Sequence, residues 1–303
     1  MNERLLYSAF FLGVAVLLVP DIPAQVSYST PGNLYEQNFD SLAQTGTANT
    51  WTNNTTIAGW YSTRTTYRAG FGFDTDGALY SFGSTGDFAS DRALGTLPTN
   101  ATGDIIFGVQ LVNNTGRMLT SFILDWTGEQ WRNGGGGFQT LVAQYSFDAT
   151  SLTTGTWTFM IQFVSPKTGG MFPTDLDGNH PDNSDPLGTA VSSISWLNGT
   201  SLWIRWFDNN DSGADHGLAA DDIIFSAAPE PSIRTATLNG SNFSVSINSY
   251  IGHSYQLRKS AILDPNSFTN VGSPQQGNVG AVRTFTDPNA VQAMAFYRIA
   301  VDP

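Results

Sequence analysis

Five aspartates, Asp208, Asp211, Asp215, Asp221 and Asp222, fall within fifteen positions. Carboxylates at that density suit a hard cation. Ca²⁺ accepts roughly six to eight carboxylate, carbonyl and water oxygens with flexible geometry. The spacing is not that of an EF-hand, and the 208–215 stretch reads more simply as a solvated Asn/Asp turn. Asp221-Asp222 carries a stronger case because it opens a closing strand, Ile223 to Phe225. In an antiparallel sandwich the first and last strands often lie side by side, and the first candidate strand is Leu34 to Asp40. If Ile223 and Phe225 point inward, period two places Asp221 on their face at the core rim, where an unpaired carboxylate is costly. A cation resolves that cost, and so does a hydrogen-bonded turn cap. Glu36, Asp40, Asp221 and Asp222 are the candidate ligands of a structural Ca²⁺.

Catalytic chemistry is short of parts. No Gly-x-Ser-x-Gly elbow and no His-x-x-x-His pair occur, and the three histidines, His180, His216 and His253, are scattered over the chain. His216 beside Asp215 is half of a possible triad and reads as a structural loop pair. Glycoside hydrolysis needs two placed carboxylates. Beyond the leader only Glu36, Glu129 and Glu230 are glutamates, with Glu129 the acid to test first. No catalytic residue is assigned and the chain is expected not to be an enzyme.

Binding is easier to support. Sugars are recognised by aromatic faces with a few polar groups that orient hydroxyls. Trp131 and Arg132 precede a run of four glycines, Gly134 to Gly137, and Trp60, Tyr61 and Tyr67 lie in a Thr-rich stretch. Trp203, Arg205 and Phe207 share one face of a strand whose other face carries Leu202, Ile204 and Trp206. Candidate ligand-binding residues are therefore Trp131, Arg132, Trp60, Tyr61, Trp203 and Arg205. Trp126, Trp157 and Trp206 are expected in the core.

These residues must be positioned by strands. Alternation is clear in Ile105 to Val112, in Phe122-Leu124-Trp126, in Trp157-Phe159-Ile161-Phe163 and in Leu202-Ile204-Trp206, while Gly/Asn/Asp/Thr-rich connections supply turns. No convincing helix is present. The 303 residues carry 25 acidic and 13 basic side chains, no Cys, 31 Gly and 13% aromatics, with a formal net charge of −12. Aromatic content argues against disorder, the absence of Cys excludes disulfides and thiolate sites, and the charge argues against a nucleic-acid partner. A break is expected at Ser226 to Ser232, around Pro229-Glu-Pro231. Residues 26–228 with Glu230 carry seven basic and twenty acidic residues, −13, whereas 233–303 carry five and three, +2.

The start reads as a signal peptide over residues 1–24. Arg4 is followed by an apolar run from Leu5 to Val19 and a cut after Ala24. That run is shorter than the roughly 20 residues of a spanning helix. Export is expected, to the extracellular space or cell surface, without a transmembrane anchor in the mature chain.

Residues 34–228 resemble the β-sandwich module of exported bacterial surface proteins. These include many with a PEP-type sorting signal and the leading regions of secreted nucleases. The resemblance rests on Tyr35-Glu-Gln-Asn-Phe-Asp-Ser-Leu42, Gly128-Glu-Gln-Trp-Arg132, Leu176-Asp-Gly-Asn179, Trp203-Ile-Arg-Trp206 and Asp215-His-Gly-Leu-Ala-Ala-Asp-Asp222. The early Phe-acid motif with a terminal Asp-Asp strand is also similar to jelly-roll carbohydrate-binding modules, whose chain ends hold calcium. No nuclease domain follows, and no apolar helix with a basic cluster follows Pro229-Glu-Pro231, so sorting-signal anchoring is not expected. Residues 236–303 resemble a small β module of Verrucomicrobia-type secreted proteins, through Phe243-Ser-Val-Ser-Ile247, Tyr255-Gln-Leu-Arg258, Phe268-Thr-Asn-Val-Gly272, Phe285-Thr-Asp-Pro288 and Phe296-Tyr-Arg298. The expected architecture is all-β. A jelly-roll-like antiparallel β-sandwich (26–228), a Pro-rich linker (229–232) and a small C-terminal β-sandwich module (233–303) follow one another. The expected function is non-catalytic recognition of carbohydrate or cell-envelope polysaccharide. The alternatives are a structural or matrix component of the cell surface, and a glycan-active enzyme.

Overall fold

The computed structural model describes residues 25–84, 89–278, 281–290 and 294–302. The leader expected over 1–24 lies outside them. Alternating apolar and polar residues set out β1 (Val26–Tyr28), β2 (Tyr35–Gln37), β3 (Asn49–Thr50), β4 (Trp60–Ser62), β5 (Thr66–Gly70), β6 (Ala78–Phe82), β7 (Ala93–Leu97), β8 (Ile105–Asn113), β9 (Leu119–Asn133), β10 (Gln139–Ser146), β11 (Thr158–Ser165), β12 (Thr174–Asp175), β13 (Ser184–Trp196), β14 (Ser201–Asp208) and β15 (Gly217–Ala228). One sheet has six strands in the order β1-β8-β14-β10-β11, with β4 also on β8. The other has nine in the order β12-β9-β15-β7-β6-β5-β3, with β13 on β9 and β2 on β15. The chain changes sheets between β8 and β9, β9 and β10, β13 and β14, and β14 and β15, wrapping both sheets around one core as jelly rolls do. The fold is an all-β sandwich.

The facing sides supply Phe107, Val109 and Leu111 of β8, Phe122, Leu124 and Trp126 of β9, Leu202, Ile204 and Trp206 of β14, and Ile223, Phe225 and Ala227 of β15. Trp206 stacks on Phe107 at 5.7 Å and on Trp60 at 5.6 Å, with Trp126 edge-on at 5.9 Å. Each large side chain removed from water contributes about 1.5–3 kcal/mol. These inward faces are the ones the alternation predicted.

Three details differ from expectation. The first strand is β1, paired parallel to β8, and the expected strand 34–40 shortens to β2. β2 does lie antiparallel to β15, Glu36 opposite Ile224. Ala227 and Ala228 do not break the strand but continue β15 against β9, because small side chains fit the core edge there. The register shifts between Asp221 and Ile224, with Asp222 at φ 48°. This bulge reverses side-chain parity. Ala220 and Ile223 therefore both face the core, while Asp221 stays on the outer side with Ala219 instead of sharing the face of Ile223.

Beyond residues 229–232 lie β16 (Ile233–Asn239), β17 (Asn242–Asn248), β18 (Ser254–Ser260), β19 (Thr269–Asn270), β20 (Gln275–Gln276), β21 (Val282–Asp287) and β22 (Phe296–Asp302). They form a three-stranded sheet, β16-β17-β21, and a four-stranded sheet centred on β18. Val245, Ile247, Tyr255, Leu257 and Phe285 fill the space between them. β16 was not legible because all its residues are exposed. This part touches the larger sandwich where Tyr250 abuts Gly32, Gly252 abuts Ile123, and Ser121 Oγ lies 3.3 Å from His253 Nε2. Among the described residues no helix is long and apolar enough to cross a membrane.

Candidate functional site

The outer side of the six-stranded sheet is aromatic. Strand pairing sets Tyr61 opposite Gly108, Gly108 opposite Arg205, Arg205 opposite Gln144, and Gln144 opposite Phe159, one transverse row over β4, β8, β14, β10 and β11. Trp203 and Phe207 flank Arg205 two residues away on the same side of β14, as period two requires. Trp203 is buried beneath the loop that precedes β11, packed with Ile106, Ala149 and Leu152 and 4.7 Å from the Tyr61 ring. Tyr61 Oη donates to Gln110. A Cβ on Gly108 would meet the Ile204 carbonyl of β14 at 2.3 Å and Leu152 of the loop at 2.9 Å, so glycine there lets both lie close. The loop covers β4, β8 and β14 at Trp203 and leaves the side of β10 and β11 that carries Gln144 and Phe159 more open.

Arg205 sits at the boundary of the covered and open sides. Its Nε donates to Gln144 Oε1 at 2.8 Å and its Nη1 to the Leu152 carbonyl at 2.6 Å. Its guanidinium carbon lies 4.0 Å from the Trp157 ring centroid and 5.4 Å from that of Phe207. Burial alone pushes its pKa down to about 10. Phe159, 57% exposed, stands on the open side, whereas Phe147 packs edge-on against Tyr145. Trp157, expected in the core, is half-buried on this outer face, because the extra residue at Met160 in β11 reverses side-chain parity ahead of Ile161 and its ring lies over Arg205. Gln144, Trp157 and Phe159 were missed as a group. Period two counted back from the core residue Phe163 places Trp157 and Phe159 inside, and the register shift between Ile161 and Phe159 that turns them outward leaves no mark in the alternation.

Of the other residues predicted to bind, Trp60 and Trp131 are completely buried. Trp60 is central to the core and donates to Tyr35 Oη. Trp131 stacks on Phe82 at 5.9 Å, donates to Glu129 Oε2 at 2.8 Å, and is closed over by Phe71 and by the backbone at Gly178, where a Cβ would meet the indole at 2.3 Å. Burial removes both rings from any sugar-stacking role. Arg132 is buried and donates to the Gly72 carbonyl. Tyr67 is core.

The predicted metal residues do not share one face. Glu36 and Asp222 line a shallow groove with Gln37, Asn38 and Ser41. Asp40 accepts from the Arg92 backbone NH and from Asn38. The bulge turns Asp221 toward Glu129 on the outer side of the nine-stranded sheet. Both are buried, and desolvation raises Glu129 to about 8 and Asp221 to about 10, with their mutual repulsion adding to the latter. Asp91, held by Asn179 Nδ2 at 2.6 Å, is raised by burial and then by Asp40 and Asp222. Among the described residues no three Asp, Glu or His side chains are grouped to hold a metal ion.

In the Asp-rich loop, Asp208 is buried between the sheets, accepts from Thr96 Oγ1, and is raised by desolvation and by Asp215, Asp211 and Asp104. Asp215 accepts from the Asp211 backbone NH and is raised to about 6, burial first. His216 Nδ1 accepts from Gly134 NH at 2.9 Å, so its Nε2–H donates to the Gly137 carbonyl at 3.1 Å. Both ring nitrogens are spent on backbone, and the Asp215–His216 pair does not form half of a triad.

No family model matches the chain, and no curated protein matches it. Solved structures that match parts of the chain include the CBM22-1 xylan-binding domain of Paenibacillus barcinonensis Xyn10C, at 11% identity and TM-score 0.34, covering 66% of this chain and 98% of that one. The tandem CBM22-1–CBM22-2 domain of the same protein matches at 10% identity and TM-score 0.35, over 91% and 92%. An arabinose-bound α-L-arabinofuranosidase, MgGH51, matches at 14% identity and TM-score 0.34, over 68% of this chain but 30% of that one.

Proposed function

We propose that the protein is an exported, non-catalytic carbohydrate-binding protein that holds glycan on the open side of the outer face of the six-stranded sheet. The observation that carries this is the transverse row of Arg205, Gln144 and Phe159, with Trp157 and Phe207 beside it. Flat apolar rings stack on the C–H faces of a sugar, while Gln144 and Arg205 present hydrogen-bonding groups to hydroxyls. A row that crosses strands about 4.8 Å apart fits an extended chain better than a single sugar. Export rests on the leader-like start alone.

Retention of residues 25–303 on a panel of insoluble and soluble polysaccharides tests this. Retention on at least one glycan is expected, with Phe159→Ala and Trp157→Ala each weakening it by about tenfold, some 1.4 kcal/mol. Glu129→Gln should leave binding unchanged, since it lies on the opposite sheet. Absence of retention on every glycan would favour a structural role at the cell surface.

A further inference from the structure

Acids outnumber bases 25 to 13 in this chain, yet none of the described acids pairs with Arg205. The ion pairs among the described residues engage Arg68, Lys167, His180 and Lys259, and none involves Arg205. No carboxylate enters its electrostatics, and burial is the sole influence on it. Half-burying a guanidinium without a counter-charge is unfavourable, and stacking on Trp157 offsets that in part. A neutral sugar hydroxyl would be served as well by an amide such as Gln144, at no such cost. A charged N–H donor makes a shorter and roughly twice stronger hydrogen bond to a carboxylate than neutral groups make to each other. Nε and Nη1 are occupied by Gln144 and Leu152, while Nη2 makes no hydrogen bond within the described chain. The inner contacts fix the side chain and leave its outer end directed away from them.

We infer that the glycan held on this face carries carboxylate groups, as in a polysaccharide containing uronic acid, and that Arg205 Nη2 receives one of them beside the Trp157 and Phe159 rings. The inference rests on the carbohydrate-binding proposal and narrows it to a ligand class. The acidic surplus of the molecule opposes a polyanion at long range, but that field is screened beyond about 8 Å at physiological ionic strength. Arg205 supplies the positive charge here, while Asp148, on the covering loop, is already engaged by Ser146 Oγ and the Thr156 NH.

The test is retention and titration of residues 25–303 against polygalacturonate, alginate and glucuronoxylan, each beside its carboxyl-reduced form, which keeps the backbone and loses the charge. Preference for at least one carboxylated polymer over its reduced form, by about tenfold or more, is expected, together with weakening in added salt. Arg205→Gln should erase the preference, and Arg205→Lys should keep only part of it, because an ammonium retains the charge but is not held in place by both Gln144 and the Leu152 carbonyl as the planar guanidinium is. Phe159→Ala should weaken a polymer and its reduced form alike. Equal binding of carboxylated and reduced polymers, or binding of neutral glycans alone, overturns the inference and leaves carbohydrate binding standing. No binding to any polymer overturns both. The wild-type comparison of paired polymers needs no variant, so a folding defect in Arg205→Gln cannot mask the answer.

Discussion

Glu129 and Asp221 show how much depends on a side chain's surroundings. Each is a carboxyl group enclosed with another and with no basic partner, so the neutral form dominates well above the usual carboxylate range. The native pKa of Glu129, about 8, exceeds its ordinary value of 4.5. Its contribution to stability is therefore fully present below pH 4.5 and is lost as pH rises through 8. Asp221, at about 10, acts in the same direction over a wider window. The melting temperature should fall between pH 5 and pH 9. Glu129→Gln, which still accepts from Trp131 Nε1, should melt above wild type at pH 9 and close to it at pH 5. Calcium in place of chelator should give no gain at pH 8. A calcium-dependent gain that disappears in Glu129→Gln or Asp221→Asn would reverse this and make the pair a cation site. From the sequence, Glu129 was the acid to examine, but its partner was not legible. Trp131 looked available for the same reason: the segments that seal it, at Phe71 and at Gly178, lie about fifty residues away on either side.

The bulge in β15 accounts for the largest difference between expected and observed positions. Alternation located β8, β9 and β14 and their inward faces because each carries three large apolar residues in step, and β15 through Ile223 and Phe225. It could not locate the extra residue at Asp222, since a single inserted position leaves the pattern on either side intact and only changes which side it faces. β13 was missed for another reason: its thirteen residues are mostly Ser, Thr, Gly and Ala, half-exposed along the edge of β9. Asp222 occupies the left-handed region, which aspartate tolerates better than branched residues do. Asp222→Gly should be neutral or slightly stabilising and Asp222→Val should cost about 1–2 kcal/mol, read from urea unfolding. Equal stability of both variants would mean that the backbone relaxes into a different register.

The two sets of sheets meet through few groups, and one of them titrates. His253 is 1% exposed, its Nε2 faces Ser121, and burial lowers its pKa from 6.5. The neutral ring is favoured in the native state, so this contribution to stability is fully present above pH 6.5 and is lost as pH falls through the lower native value. Glu230 and Tyr255 line the same cavity. Limited proteolysis at residues 229–232 should therefore be faster at pH 5 than at pH 7.5. His253→Phe, which cannot acquire a proton, should show little change between the two. Equal cleavage of the wild type at both pH values would place the ring outside any role in holding the parts together.

β15 pairs with β2, β7 and β9, whose residues precede it by as much as 190 positions. Until residue 228 has left the ribosome, β9 and β7 each lack the neighbour that lies between them. The sandwich cannot close progressively, and the chain must carry unpaired strand edges through most of its synthesis. Such dependence on distant pairing makes folding slow, on the order of milliseconds to seconds. For a chain exported as proposed, slow folding would leave time for passage through a narrow channel in extended form, and it makes any truncation ahead of β15 prone to aggregation rather than to partial folding.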